Sequence, residues 1–551
     1  MTTSPASAVA DKFRNPILPG FNPDPSICYV PGKGYFVATS SFEYFPGLPV
    51  YHSTDLNSWK LIGHALNRRS QGVDMQTVET SGGLWAPTFR YHNGRWYMIC
   101  SCFWRIRIVP GGAPDFVSSG FYMWTDDIFD DSKWSNAIYF EEIGFDQDLL
   151  FDDDGRVYQT VTRFDFSAPT THGQPLIQSF INEIDLETGT SLTQPVLAKA
   201  SPLGVAEGCH ILKKDGFYYF FTAEGGTQDG HRECVYRSTC PTGPFEAPPE
   251  GINPVIFNDA HPDIQNTGHM DLIEGVNGQW VAVFLGVRPV FEAGITKEGG
   301  KGMPTHLGRE TFMAPMEWVD GWPVVNNRKP IELIGDFPGL ELAPEPAGWI
   351  DEFDKPTLNL GWYHIRVPLR QYYSLTERPG YLALRGGPIT LDTEHSPSAL
   401  LQKQPGFNLD WSTEVEFTPT LPGQEAGTVV WMSKGEHASL GLRGVDTEGN
   451  VEVAFKRPST DGKFDISTFP LPSTFTPGTP VTFYVHARTQ QYEFAYSVGG
   501  AAPVVVGTMA SSELKPLFTG VHLGVFAQGA KDMPCINRAY FKYAKWDSVA
   551  A

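Results

Sequence analysis

Residues 206–226 read AEGCHILKKDGFYYFFTAEGG. An acidic residue opens the stretch and a short apolar run follows. A Lys-Asp-Gly turn then reverses the chain into a dense aromatic run. Two apolar runs about a glycine turn are a hairpin signal. The same shape occurs five times along the chain. Its turn glycines are Gly32, Gly94, Gly155, Gly216 and Gly278, separated by 62, 61, 61 and 62 residues. The runs that follow them contain YFVAT, WYMICS, VYQTVT, YYFFTA and WVAVFLG. A near-constant period of this length specifies a repeat architecture, and five serial β-hairpins predict a five-bladed β-propeller.

Eight or nine residues before each glycine stand Asp24, Trp85, Asp146, Glu207 and His269. Each leads into a short apolar run. In a propeller, equivalent positions on the innermost strands converge on the central axis. A single carboxylate there reads equally well as a structural hydrogen-bonder. Three in register, joined by a His and a Trp, read as an active site, because carboxylates are rarely buried without partners.

The remaining features bound the function. A chain of 551 residues predicts two domains. Its 14 Trp, 21 Tyr and 37 Phe, with 56 Gly and 45 Pro, favour many short strands and turns. No amphipathic helix stands out. A net charge of −21 argues against nucleic acid, anionic membranes and polyanionic substrates, but not against a neutral sugar. Seven cysteines lack metal-ligand spacing and read as buried free thiols. The N-terminus has no basic region followed by an apolar one, so the sequence as written reads as intracellular; a secreted protein stripped of its signal would read the same. No apolar run is long enough to span a bilayer.

In order, residues 1–14 read as a disordered lead-in and 15–334 as the propeller. Residues 335–350 read as a Pro/Gly linker where the period stops. Residues 351–548 read as a β-sandwich, from alternating segments such as NVEVAFKR and TFYVHAR with turns every 8–15 residues. In NPDPS, prolines at 23 and 25 stiffen the backbone around Asp24. Phe42, Tyr44 and Phe45 crowd a loop beside the first hairpin, as core or as the floor of a sugar site. Asp148 and the run Asp152–Asp154 lie close to Asp146.

The motifs NPILPGFNPDPSI, SSFEYFPG, GLWAPTFRYHNG, GFDQDLLFDDDG, VAEGCHILKKDGFYYFFTAEGGT, TGHMDLIE, GVRPV and LGRET…EWVDGWP resemble, in order, glycoside hydrolase family 43 in its β-xylosidase branch. The segment DEFD…LGWYHIRVP…YSLTERPGYLALRG resembles that branch's C-terminal, concanavalin-like sandwich. The resemblance implies Asp24 as general base, Glu207 as general acid and Asp146 as the carboxylate that raises the acid's pKa. It implies an axial supporting role for His269, through water or a metal in some members, and a sugar contact for Arg288. Trp85 and Phe42 become subsite aromatics. An aromatic from the sandwich closes the pocket in some relatives, and Phe526 is the candidate here. Two motifs depart from the family pattern: Cys209 stands where proline is usual, and Gln147-Asp148 replaces the usual residues after Phe145-Asp146, so that Asp148 competes weakly with Asp146 for the role of modulating carboxylate.

The expected enzyme is an inverting hydrolase, with Glu207 protonating the leaving oxygen and Asp24 activating water. It would release xylose from non-reducing ends of β-1,4-xylo-oligosaccharides, with α-L-arabinofuranosidase as side activity. The alternatives are an arabinofuranosidase or arabinanase, and a non-catalytic sugar-binding propeller. No cofactor is required on this reading. Room remains for calcium at the propeller axis, and homo-oligomerisation is open. His269 lacks companions at zinc-type spacing.

Overall fold

Hairpin periodicity becomes radial repetition. In the computed structural model, which describes residues 10–106, 115–165, 175–291, 305–459, 462–530 and 532–550, the N-terminal half forms five antiparallel sheets in chain order. Four have four strands, and the fourth in sequence has three. The innermost strands are Ser26–Val30, Gly83–His92, Phe145–Phe151, Ala206–Lys214 and Gln265–Glu274. The five turn glycines all adopt left-handed φ, from 74° to 86°. Four of the five have open space where a Cβ would stand, so the backbone angle, not crowding, selects glycine.

The ring closes through its own first residues. Asn15 exchanges hydrogen bonds with the Met313 backbone at 2.9 and 3.0 Å, and Ile17 N–H donates to Thr311 at 2.9 Å. The NPIL segment thereby zips onto the last blade. The expected disordered lead-in needs correction on the same ground: Ala10–Arg14 pairs antiparallel with Ile334–Glu341, at the start of the expected linker. Residues 1–9 lie outside the described residues. The other end of that linker, Gly348–Asp351, pairs with the C-terminal strand Arg538–Ser548.

The second half is a sandwich of an eight-stranded and a six-stranded sheet about a core that includes Trp411, Val430, Phe483 and Phe541. It packs against the propeller through Phe21, Phe42, Tyr44, Tyr363, Trp431 and Phe526. Among the described residues no helix is long and apolar enough to cross a membrane. The seven cysteines are free thiols, six of them buried.

Beneath the strand heads lies a tier that the repeat alone did not reveal. Arg90 reaches across the axis, donating to Asp148 at 2.7 and 2.9 Å and to Asp271 at 2.7 Å. Its guanidinium also contacts His210 and Ser26. These five residues come from the five innermost strands, so one cation ties all blades together. Asp148 and Asp271 are held below the usual carboxylate range, Arg90's charge outweighing burial. Asp148 is therefore committed to the axis and does not compete with Asp146. Replacing Arg90 with Met should strand two buried carboxylates and cost about 3–5 kcal/mol. Without the guanidinium, burial raises both pKa values above their unfolded values. The deficit should then shrink as pH falls from about 8 to about 5. A pH-independent shift of the first unfolding transition would contradict this account.

Candidate active site

The heads of the inner strands share a backbone device. Asp24, Ala86, Asp146, Gly208 and His269 all adopt left-handed φ, from 40° to 57°. In four of the blades the strand register breaks just beyond, as at Glu207/His210 and Gly268/Asp271. Each break is a bulge that re-aims a side chain. Non-glycine residues seldom take this conformation, though Asp and His tolerate it better than most, and such strain concentrates at functional sites. Gly208 carries a further constraint. A Cβ there would sit 3.0 Å from the His269 ring.

The strand heads bring Asp24, Asp146, Glu207 and His269 together. Asp24 is buried and accepts from Ser40 Oγ at 2.6 Å and from Arg309 at 2.7 Å. Glu207 is half-buried. Its carboxyl is pushed up to about 7, first by desolvation and then by the charge of Asp24, against the pull of Arg309. Asp146 is also raised, by burial and then by Glu207, while Gly208 N–H donates to its Oδ2 at 2.8 Å. Asp146 and Glu207 lie close enough for the charge of each to act on the other, and Asp146 also grips the backbone one residue beyond the acid. Cys209, at the atypical position, donates its thiol to the Asp146 carbonyl at 3.2 Å. A proline could not do so.

His269 Nδ1 lies 3.7 Å from Asp24 Oδ1, and burial lowers the imidazole to about 3, so the ring is neutral. Arg288 does not join the group. It forms a two-pronged ion pair with Glu310 at 2.7 and 2.8 Å and reaches Pro405 of the sandwich. The arginine at the carboxylates is Arg309, which also holds Thr227 and the carbonyl of Phe518. It lies in LGRET, a motif noted for its likeness but not for this residue.

Aromatic rings wall the site. Phe42 lies 6.0 Å from Trp85, and both rings approach Phe518 of the sandwich, at 6.2 and 5.6 Å. Arg309 lies over Phe42 and Phe518. Phe518, not Phe526, is thus the sandwich residue at the pocket. Phe526 is fully buried in the interdomain core, on a strand interior. A cleft of ≈ 160 Å³ opens beside Arg309 and Phe518, bordered by Thr227, Gln228 and Asn266.

The axis suits a direct calcium cage poorly. Calcium takes six to eight oxygens, and the axial oxygens of Asp148 and Asp271 already face the guanidinium of Arg90. Among the described residues no three His, Cys, Asp or Glu side chains cluster in metal-holding geometry.

Comparison with known proteins agrees with this geometry. The family profile described as "Glycosyl hydrolases family 43" matches residues 13–323, and "Beta xylosidase C-terminal Concanavalin A-like domain" matches 350–547. A non-reducing end alpha-L-arabinofuranosidase of Bacteroides ovatus is 38% identical over 94% of this chain and 91% of its own length. A xylan 1,3-beta-xylosidase of Vibrio sp is 32% identical over 93% of this chain and 95% of its own. A crystal structure of xylan beta-1,4-xylosidase from Bacillus halodurans superposes with a TM-score of 0.84 at 30% identity, covering 97% of this chain and all of that one. With carboxylates converging on a propeller axis and a sandwich ring closing over them, the chain belongs to glycosyl hydrolases family 43 and is a glycoside hydrolase.

Proposed function

We propose that the protein is an exo-acting, inverting β-xylosidase that releases xylose from non-reducing ends of β-1,4-xylo-oligosaccharides. The observation that carries this reading is the contrast between two carboxyl groups. Glu207 keeps its proton to about 7, while Asp24 is paired with the Arg309 guanidinium. A pair split in this way divides acid from base work. Glu207 donates to the glycosidic oxygen as the bond to the anomeric carbon breaks. Asp24 takes a proton from water as that water attacks the same carbon. Asp146 fixes the acid's backbone, and Arg309 holds the base. The neutral His269 ring fills the floor beside Asp24.

Closure by Phe518 supports release of single terminal sugars rather than cleavage along an open groove. Phe518→Ala should raise KM for para-nitrophenyl β-D-xylopyranoside about tenfold with a smaller change in kcat. An unchanged KM would remove the sandwich from the pocket. Hydrolysis needs no bound metal on this reading, since Arg90 supplies the axial positive charge. Dialysis against a chelator should leave the rate intact, and loss restored by calcium would overturn the point.

The relative from Bacteroides ovatus favours one second reading, release of α-L-arabinofuranosyl ends. Initial rates on the para-nitrophenyl β-D-xylopyranoside and α-L-arabinofuranoside decide between them. Proton NMR of the first product decides the stereochemistry: α-xylose is expected, and β-xylose appearing first would exclude inversion.

A further inference from the structure

Asp24 stands in a strained stretch. Its φ is left-handed at 52°, and prolines at 23 and 25 flank it. A non-glycine residue keeps that conformation only where its surroundings over-determine it. Proline fixes φ at position 23, so a shift of Asn22 passes to Asp24 with little slack. Whatever holds Asn22 therefore holds Asp24.

Asn22 is a buried node. Its N–H donates to the Arg309 carbonyl at 3.1 Å, and its own carbonyl accepts from Thr311 Oγ1 at 2.6 Å. The first bond counts twice, because the Arg309 guanidinium also donates to Asp24. In the side chain, Oδ1 accepts from Tyr51 at 2.7 Å and from Lys403 Nζ at 2.8 Å. An ammonium only donates, so the amide oxygen must face it. Of these partners Lys403 alone belongs to the sandwich, where it ends the strand Ala399–Lys403.

Lys403 is committed to this contact. Among the described residues no carboxylate pairs with its ammonium, which instead lies over the rings of Phe21 and Tyr363, 5.4 and 5.3 Å from their centroids. Ring faces and an amide oxygen take the place of a counter-ion. The two backbones also meet here. Gly20 has a φ of 74°, and a Cβ on it would fall 2.5 Å from the Gln404 carbonyl. Arg288 reaches the carbonyl of Pro405. Three successive sandwich residues, 403 to 405, thus grip the segment that leads into Asp24 and the blade that closes on it.

We propose that Lys403 is a positioning residue for the catalytic base, fixing Asn22 from the sandwich and, through Asn22, both Asp24 and the arginine paired with it. The inference rests on the reading of Asp24 as base. The sandwich then serves the reaction in two ways, by the ring of Phe518 at the pocket and by Lys403 behind the base.

Lys403→Met tests this, because it keeps an aliphatic stem over the rings and removes the donor. On a dinitrophenyl β-D-xyloside, kcat should fall about tenfold with KM unchanged, since the base is misplaced while the rings around the sugar stay. An unchanged kcat would overturn the proposal. So would a KM that rises as far as kcat falls, which marks a loosened interface. Lys403→Gln, shorter but polar, gives the same reading should the Met variant not fold. A second comparison isolates the base. In an Asp24→Ala background, with azide present or on the residual rate where azide restores nothing, Lys403→Met should cost nothing further, because no base remains to misplace. A second tenfold loss there would show that Lys403 acts on the pocket at large and overturn the proposal. Failure of the parent reading looks different: Asp24→Ala alone would keep the wild-type rate, and the positioning role would fall with it.

Discussion

Replacing Glu207 with Gln should lower kcat on xylobiose about a thousandfold while leaving a much smaller loss on a dinitrophenyl xyloside. The reason lies in the leaving group. A departing sugar is a poor leaving group unless a proton arrives as the bond breaks, whereas a dinitrophenolate is stable without one. Gln keeps the size and polarity of Glu207 and removes only the proton. The pH dependence carries the same signature. An acid works only in its protonated form, so with a carboxyl at about 7 the wild-type kcat/KM should decline tenfold per unit above that pH. The variant should lose this alkaline limb. Equal losses on both substrates, or an alkaline limb that survives the substitution, would show that the proton comes from elsewhere.

Much of this site is legible in sequence because each blade writes its own geometry locally. A glycine with left-handed φ, an apolar run on each side and a polar head recur at a fixed spacing. Asp24, Asp146, Glu207 and His269 are found by counting back from the turn. What a local pattern does not carry is choice between equivalent residues. Arg288 follows one strand of the last blade and Arg309 immediately precedes the next. Only tertiary pairing separates them: Glu310 captures Arg288, which leaves Arg309 to reach Asp24, 285 positions away in the chain. Phe526 and Phe518 pose the same problem. Phe526 sits in an alternating strand and is core by periodicity, while Phe518 follows Pro516-Leu517 in the loop before that strand. An aromatic in a loop, rather than in a strand interior, is the available signal. Three carboxyls in register do not say which of them meets a guanidinium, and Arg309 decides that by pairing with Asp24. Five residues of the lead-in, ADKFR, are too short to announce a strand without the partner at 334–341.

Asp24→Ala should be at least as damaging as loss of the acid, and in a different pattern. Water attack needs its base whatever the leaving group, so kcat should fall about a thousandfold or more on xylobiose and on the dinitrophenyl substrate alike. The substitution also leaves Arg309 without the carboxylate that accepts from it at 2.7 Å. Part of the effect could therefore arise from a displaced Arg309 or a loosened Phe518, whose carbonyl it holds at 3.2 Å. Azide separates these causes. It is already an anion and needs no base, and the methyl side chain leaves it space on the face from which water attacks. With the dinitrophenyl substrate it should form a new bond to the anomeric carbon as dinitrophenolate leaves, restoring turnover and giving α-xylosyl azide. A variant that stays inactive with azide would point to collapse around Arg309. Formation of β-xylosyl azide would mean two displacements at the carbon, and Asp24 would not be the base of an inverting reaction. Because Glu207 still carries its proton in this variant, and no longer feels the Asp24 charge that helps to raise its pKa, its alkaline limb should move to lower pH. The two variants thus act oppositely on one limb of the profile, as expected if the two carboxyls are coupled through the space where the scissile bond lies.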